Sequence, residues 1–176
     1  MNTKMLYMAG QETTMWLIAN GTLLLLQHSH QLEILRQQPG LMPSAIEEIL
    51  RFDGPVSYVL RVALDDIHLG SCTVPRGDTI AILVDAANRD PLYVDRPDEF
   101  DITRGRADHL EFGGGVHFCL GAQLARAEGE VALEAIMNRL PGLRLAQGPI
   151  EWSDNHRLRG PVELFVEWDA PARRGR

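Results

Sequence analysis

Three consecutive glycines, Gly113-Gly114-Gly115, separate Phe112 from the segment Val116-His117-Phe118-Cys119-Leu120-Gly121, and a long helical pattern starts directly behind it. Neither strand nor helix propagates well through such a run. Glycine loses the most backbone freedom on folding and readily visits conformations that other residues avoid. The segment must be an irregular loop, and it must deliver Cys119 to the start of a helix. A thiol so placed has backbone N–H groups around its sulfur and a pKa lowered by the positive end of the helix. That setting suits a metal ligand and does not suit a disulfide partner.

The spacing Phe-Gly-x-Gly-x-His-x-Cys-x-Gly reads as a haem-thiolate loop, with glycines for close approach to a flat macrocycle and cysteine for the iron. A thiolate ligand pushes electron density onto iron and favours O–O cleavage. Other readings stand beside it. A lone free cysteine is most often a buried core residue. Glycines ahead of a helix can cradle phosphate, although the Lys-Ser/Thr of a Walker loop is missing. A zinc site from His117 and Cys119 needs two further ligands, and none stands at an obvious spacing.

The 176 residues, 45% hydrophobic, suffice for one ordinary core. A formal net charge of −7 argues against nucleic acid and anionic membrane surfaces as main partners. Two cysteines, Cys72 and Cys119, do not make a disulfide framework, and a reducing cytoplasm is the simpler setting. The apolar run over residues 15–26 is interrupted by Asn20, Gly21 and Thr22. It falls short of the ~20 residues of a span and lacks the flanks of a signal peptide.

The pattern predicts a helix over residues 3–26 that Gly21 breaks or kinks. A second covers 31–38, with Leu32 and Leu35 facing inward and Pro39-Gly40 as the stop. A third covers 44–52, opened by a capping box of Ser44 and Glu47. Strands are expected at 56–64, 67–69, 73–74 and 79–84, followed by an irregular stretch over 89–108. Leu120, Leu124, Ala127, Val131 and Ala135 mark the inward face of a helix over 120–140. Short strands near 143–145 and 162–168 precede a disordered tail at 171–176. The fold class is α+β, mainly α, in one domain over residues 1–170.

Three further clusters bear on chemistry. Glu48 and Arg51, three apart on one helix face, read alone as an ordinary pair worth a few tenths of a kcal/mol. In Ala9-Gly10-Gln11-Glu12-Thr13-Thr14, a mid-helix glycine costs roughly 1 kcal/mol against alanine. It therefore points to a close approach or a local opening, with Thr13 and Glu12 available to deliver protons. The plain alternative is a kink with threonine bonding back to the carbonyl four residues earlier. Arg61, in a run of Val and Leu, suits an anion such as a haem propionate, or else a snorkelling surface arginine.

In this order, over roughly residues 9–168, these segments resemble the cytochrome P450 family in its soluble bacterial form. Ala9–Thr14 looks like the oxygen-activating turn of the central helix, and Glu48-x-x-Arg51 like the acid–arginine pair of the K helix. Ala87-Asn88-Arg89-Asp90-Pro91 and Pro97-Asp98-Glu99-Phe100-Asp101 look like the approach to the meander, and Phe112–Gly121 matches the haem signature. The resemblance implies the C-terminal portion of that fold: a partial central helix, the K helix, small β-sheets, the meander, the cysteine loop and a long final helix. It implies haem b (iron protoporphyrin IX) as cofactor and Cys119 as the axial metal ligand. Phe112, Gly113, Gly115 and Gly121 would shape the loop, His117 and Arg61 would hold propionate, and Gly10 would lie on the haem side of the central helix. Thr13 and Glu12 would be catalytic, on the path that delivers protons to bound oxygen. Glu48, Arg51 and Arg104 would be structural.

The activity implied is monooxygenation: one atom of O2 enters a small organic substrate, in the cytoplasm. Electrons would come from a donor protein such as a ferredoxin, with Arg126 as a candidate contact. Family members are more than twice this long, so the resemblance also implies a truncated chain, with a face exposed where preceding helices would pack. A non-catalytic haem-binding remnant and an interaction domain reusing the fold are the alternatives.

Overall fold

Four helices gather around one core in the computed structural model, which describes residues 2–105 and 108–169. Helix α1 (Asn2–Gln27) contributes Leu17, Leu24 and Leu25, and α2 (Ser29–Gln37) contributes Leu32 and Leu35. Helix α3 (Met42–Asp53) adds Ala45, Ile46, Ile49 and Leu50, and α5 (Ala122–Arg139) adds Leu133. Phe100 and Ile102 close the core from the irregular stretch after residue 88. The mixture of helices with small antiparallel sheets is the α+β class expected. The tail at 171–176 lies outside the described residues.

Gly21 does not break α1, which runs unbroken through it. A Cβ there would come within 3.0 Å of Leu133 Cδ1 and 3.1 Å of Ile49 Cδ1. The glycine is thus a point of close approach between α1, α3 and α5. Gly129 does the same from α5, where an added Cβ would lie 3.0 Å from Ile46 Cδ1 and 3.1 Å from Leu17 Cδ2. These two glycines also settle which face of α5 is buried. Ala122, Gly129 and Leu133 point inward, while Leu120, Leu124 and Val131 are 93%, 63% and 67% exposed. The stripe expected to face the core therefore faces outward. Both sides of the helix carry apolar residues, and only the glycine side lets α1 and α3 come close.

The capping box at Ser44 does not form. A short 3-10 turn, Pro39–Leu41, leads straight into α3, so Ser44 lies inside the helix. Its hydroxyl donates to the Ile102 carbonyl at 2.7 Å, and Glu47 is engaged elsewhere.

Strand β1 (Tyr58–Val62) pairs antiparallel with β4 (Thr79–Leu83), Leu60 opposite Ala81 and Arg61 opposite Ile80. Between them β2 (Ile67–Leu69) and β3 (Cys72–Val74) form a second antiparallel pair. Val84 does not extend β4; it starts the short helix α4 (Val84–Ala87). A last pair, β5 (Arg144–Leu145) with β6 (Val166–Glu167), follows α5.

Candidate functional site

The cysteine loop is closed on itself by backbone bonds. Gly113 and Gly115 adopt φ of +68° and +60°, which side-chain-bearing residues rarely tolerate. A single 3-10 turn, Gly115–His117, follows. The Cys119 N–H then donates to the Phe112 carbonyl at 2.9 Å, and the Cys119 carbonyl accepts from Ala122 N–H at 3.3 Å, at the entry to α5. Cys119 is free and exposed, which excludes the buried-core reading. Its neighbours Val116 and Phe118 are exposed too, the former at 96%. Apart from the adjoining residues, no described atom lies within 4 Å of where a Cβ would stand on Gly114 or Gly115. An accessible thiol on an exposed loop, apolar at Val116 and Phe118 and bare at Gly114 and Gly115, is what a flat, iron-centred macrocycle requires, so the residues present fit haem. Among the described residues no group of three or more His, Cys, Asp or Glu could hold a metal ion, so a zinc site finds no support.

Behind the loop lies a charged cluster. Arg126, on α5, donates from Nε and Nη2 to the two carboxylate oxygens of Glu47, on α3, at 2.6 and 2.9 Å. Its guanidinium carbon stands 4.5 Å from the Phe112 ring centroid. The ring of His109 lies 5.7 Å from Phe112. His109 Nδ1 accepts from the Glu111 N–H at 3.2 Å, and Nε2 lies 3.3 Å from Glu47 Oε2 without the alignment of a full hydrogen bond. Burial pushes the Glu47 carboxyl up, but the two bonds and the charge of Arg126, with His109 close by, outweigh it and bring the pKa down to about 2. Arg126 is thus held by Glu47 and Phe112 while 23% of its side chain stays exposed.

Glu48 and Arg51 are more than an ordinary intrahelical pair. Both side chains are fully buried, and Arg51 meets Glu48 through two 2.8 Å bonds. Arg51 also donates to the carbonyls of Asn88, Pro97 and Glu99. Arg104 completes the group, with Nε 3.2 Å from Glu48 Oε2 and its remaining nitrogens on the carbonyls of Asp95, Arg96 and Glu99. These side chains supply the hydrogen bonds that the strand-free stretch over residues 88–104 cannot make to itself.

The other expected residues stand apart. Helix α1 does not open at Gly10, and no described protein group packs within 4 Å of the glycine's missing Cβ. The Thr13 hydroxyl donates back to the Ala9 carbonyl at 2.7 Å. Glu12 and His117 are exposed, and among the described residues the Arg61 guanidinium bonds only its neighbour's carbonyl, Leu60 O, at 2.8 Å. No hydrogen bond or ion pair joins Gly10, Glu12, Thr13, Arg61 or His117 to one another or to Cys119.

Sequence reasoning passed over His109 and Glu111, and gave Glu47 only a capping role. Glu111 is buried, accepting from Val56 N–H at 3.1 Å through Oε2 while Oε1 has no partner. The signal was present: an acid flanked by Leu110 and Phe112 sits in an apolar context.

The family model described as Cytochrome P450 matches residues 1–141. The polyketide biosynthesis cytochrome P450 PksS of Bacillus subtilis (strain 168) is 44% identical over 165 residues, covering 92% of this chain and 41% of the relative. The cytochrome P450 monooxygenase PikC of Streptomyces venezuelae is 42% identical over 174 residues, covering 97% and 41%. The solved structure of P450BioI with an acyl carrier protein ligated to hexadec-9Z-enoic acid superposes with a TM-score of 0.91 at 42% identity, covering 94% of this chain and 43% of that one. The chain spans about two fifths of the length of the curated relatives it matches. Among the described residues no helix is long and apolar enough to cross a membrane. The loop, the core and these likenesses agree: the chain belongs to the cytochrome P450 family, a family of haem monooxygenases.

Proposed function

We propose that this chain is the thiolate-bearing part of a haem monooxygenase and binds iron protoporphyrin IX through the Cys119 sulfur. The observation that carries this is the accessible Cys119 thiol at a helix start, on an apolar loop whose glycines leave the space above it free. When bound, haem supplies the redox chemistry by which one atom of O2 enters a small organic substrate, with electrons from a donor protein such as a ferredoxin.

The chain's own residues hold the group and manage protons. Phe112, Gly113, Gly115 and Gly121 keep the loop in its shape. Arg61, with a single backbone acceptor, retains donors for a propionate carboxylate, and exposed His117 offers a second. Gly10 leaves room on α1. There the Thr13 hydroxyl, held by Ala9 O, and the Glu12 carboxylate hold and pass the protons that oxygen cleavage consumes. Glu48, Arg51 and Arg104 brace the approach to the loop. Turnover is assigned to the complete fold in the cytoplasm. The outward apolar residues Leu120, Leu124 and Val131 on the cysteine side, with Met5, Leu6, Tyr7 and Met8 on α1, favour a second reading for these residues alone: a haem binder without turnover.

Haemin titration followed by absorbance tests the assignment. The wild type and Cys72→Ala should bind one equivalent, while Cys119→Ala should lose thiolate ligation. Equal spectra for all three would reject it. Where turnover is measurable, Thr13→Ala should divert reducing equivalents from product to peroxide.

A further inference from the structure

Arg126 stands where three elements meet. Its carbon stem comes from α5, its Nε and Nη2 reach Glu47 on α3, and its guanidinium carbon stands over the Phe112 ring at the mouth of the cysteine loop. Phe112 in turn holds the cysteine, because its carbonyl accepts the Cys119 N–H at 2.9 Å. His109 supports the same ring from another side. It also takes the N–H of Glu111, the residue before Phe112, and turns its other nitrogen toward Glu47. Every atom in this chain of contacts belongs to the protein itself.

We infer that Arg126, set by Glu47 and backed by His109, is a positioning residue that clamps Phe112 and through it the backbone of Cys119. The geometry asks for arginine in particular. A planar guanidinium can give two parallel bonds to one carboxylate and still lay its face on an aromatic ring. Lysine keeps the charge, but its single ammonium cannot satisfy both demands. The pairing also explains the acid doublet Glu47-Glu48. Glu48 turns toward the irregular stretch with Arg51 and Arg104, and Glu47 turns toward the loop. The purpose of the clamp, a fixed sulfur for iron, rests on the haem reading. The clamp itself does not.

The test therefore uses the cofactor-free chain, in a Cys72→Ala background, with residue-resolved amide hydrogen exchange. Arg126→Lys, Arg126→Met and Glu47→Gln should each speed exchange at the Cys119 N–H roughly tenfold, as expected for losing a cation–π contact and a charge-assisted bond. Exchange at Ile49 and Leu50 in α3 should stay put. The double variant Glu47→Gln/Arg126→Met should exchange no faster than either single, because the two act as one unit. Arg126→Lys separates clamp from charge: full retention of protection by lysine would overturn the inference. So would an unchanged Cys119 in Glu47→Gln, or a change spread equally over Ile49 and Leu50. Failure of haem uptake with the clamp intact would count against the haem reading alone.

Discussion

Glutamine at position 111 should stabilise this protein, and by more as the pH rises. Glu111 is buried, its Oε2 accepts one N–H from Val56, and its Oε1 has no partner. Gly54 makes the room, since a Cβ there would lie 2.3 Å from the Glu111 carboxyl carbon. Burial, reinforced by the nearby charges of Asp85 and Asp53 and opposed by the Val56 N–H, pushes the carboxyl from 4.5 up to about 9. The folded chain thus keeps a proton that the unfolded chain releases above 4.5, so stability falls with rising pH from 4.5 until the folded group ionises near 9. At about 1.4 kcal/mol per pH unit the penalty at pH 7 is about 3 kcal/mol, an upper bound because water can reach a buried carboxylate. Glutamine has the shape and hydrogen-bonding groups of the protonated acid and does not titrate. Urea unfolding of wild type and Glu111→Gln from pH 5 to 8 should give nearly equal stabilities at the acid end and a gap that widens with pH. Asp85, also raised by burial, is common to both proteins and largely drops out of the difference. Parallel curves across that range would show that Glu111 is ionised in the folded state and would refute the reasoning.

Other outcomes follow from the same contacts. Gly129→Ala forces a Cβ to 3.0 Å from Ile46 Cδ1 and should cost ~1–3 kcal/mol in urea unfolding, whereas Gly10→Ala, in open space on a helix, should be neutral or gain up to ~1 kcal/mol. Glu48→Gln leaves Arg51 buried without its counter-charge; a loss of ~3–5 kcal/mol and faster exchange over residues 88–104 are expected. Leu124→Glu, on the outward face of α5, should change stability by less than ~0.5 kcal/mol, against ~2–5 kcal/mol for the inward Leu133→Ala. Because the Glu47 pKa is depressed to about 2, its pair with Arg126 is present above its ordinary 4.5 and is lost only as the pH falls through 2. Protection at the Cys119 N–H should therefore persist at pH 4.

Element positions were legible because helix and strand periods are local. The glycine loop, Cys119, the helix behind it and the strand pairs could all be found from spacing and turn residues. What local pattern does not carry is which side of an element meets another. Helix α5 offers Leu124 and Val131 on one side, Gly129 and Leu133 on the other. The choice was made by how closely α1 and α3 can approach a glycine. Glu48 and Arg51 read alone as an ordinary pair because three-residue spacing says nothing of burial; their bonding to residues 88–104 depends on a segment some forty residues away. Gly21 read as a break for the same reason, although a missing side chain serves a packed helix as well as a bent one. Glu47 read as a helix cap and His109 belonged to no motif; their place beside the loop became visible only once Arg126 and Phe112 were placed.

The central claim is that the Cys119 sulfur binds haem iron. Its most direct measurement is the absorption spectrum of the haem-loaded chain after reduction and addition of carbon monoxide. A strongly red-shifted Soret band that persists in Cys72→Ala and disappears in Cys119→Ala is the predicted result. An ordinary imidazole-type band in all three, or no haem uptake by a folded chain, would contradict it.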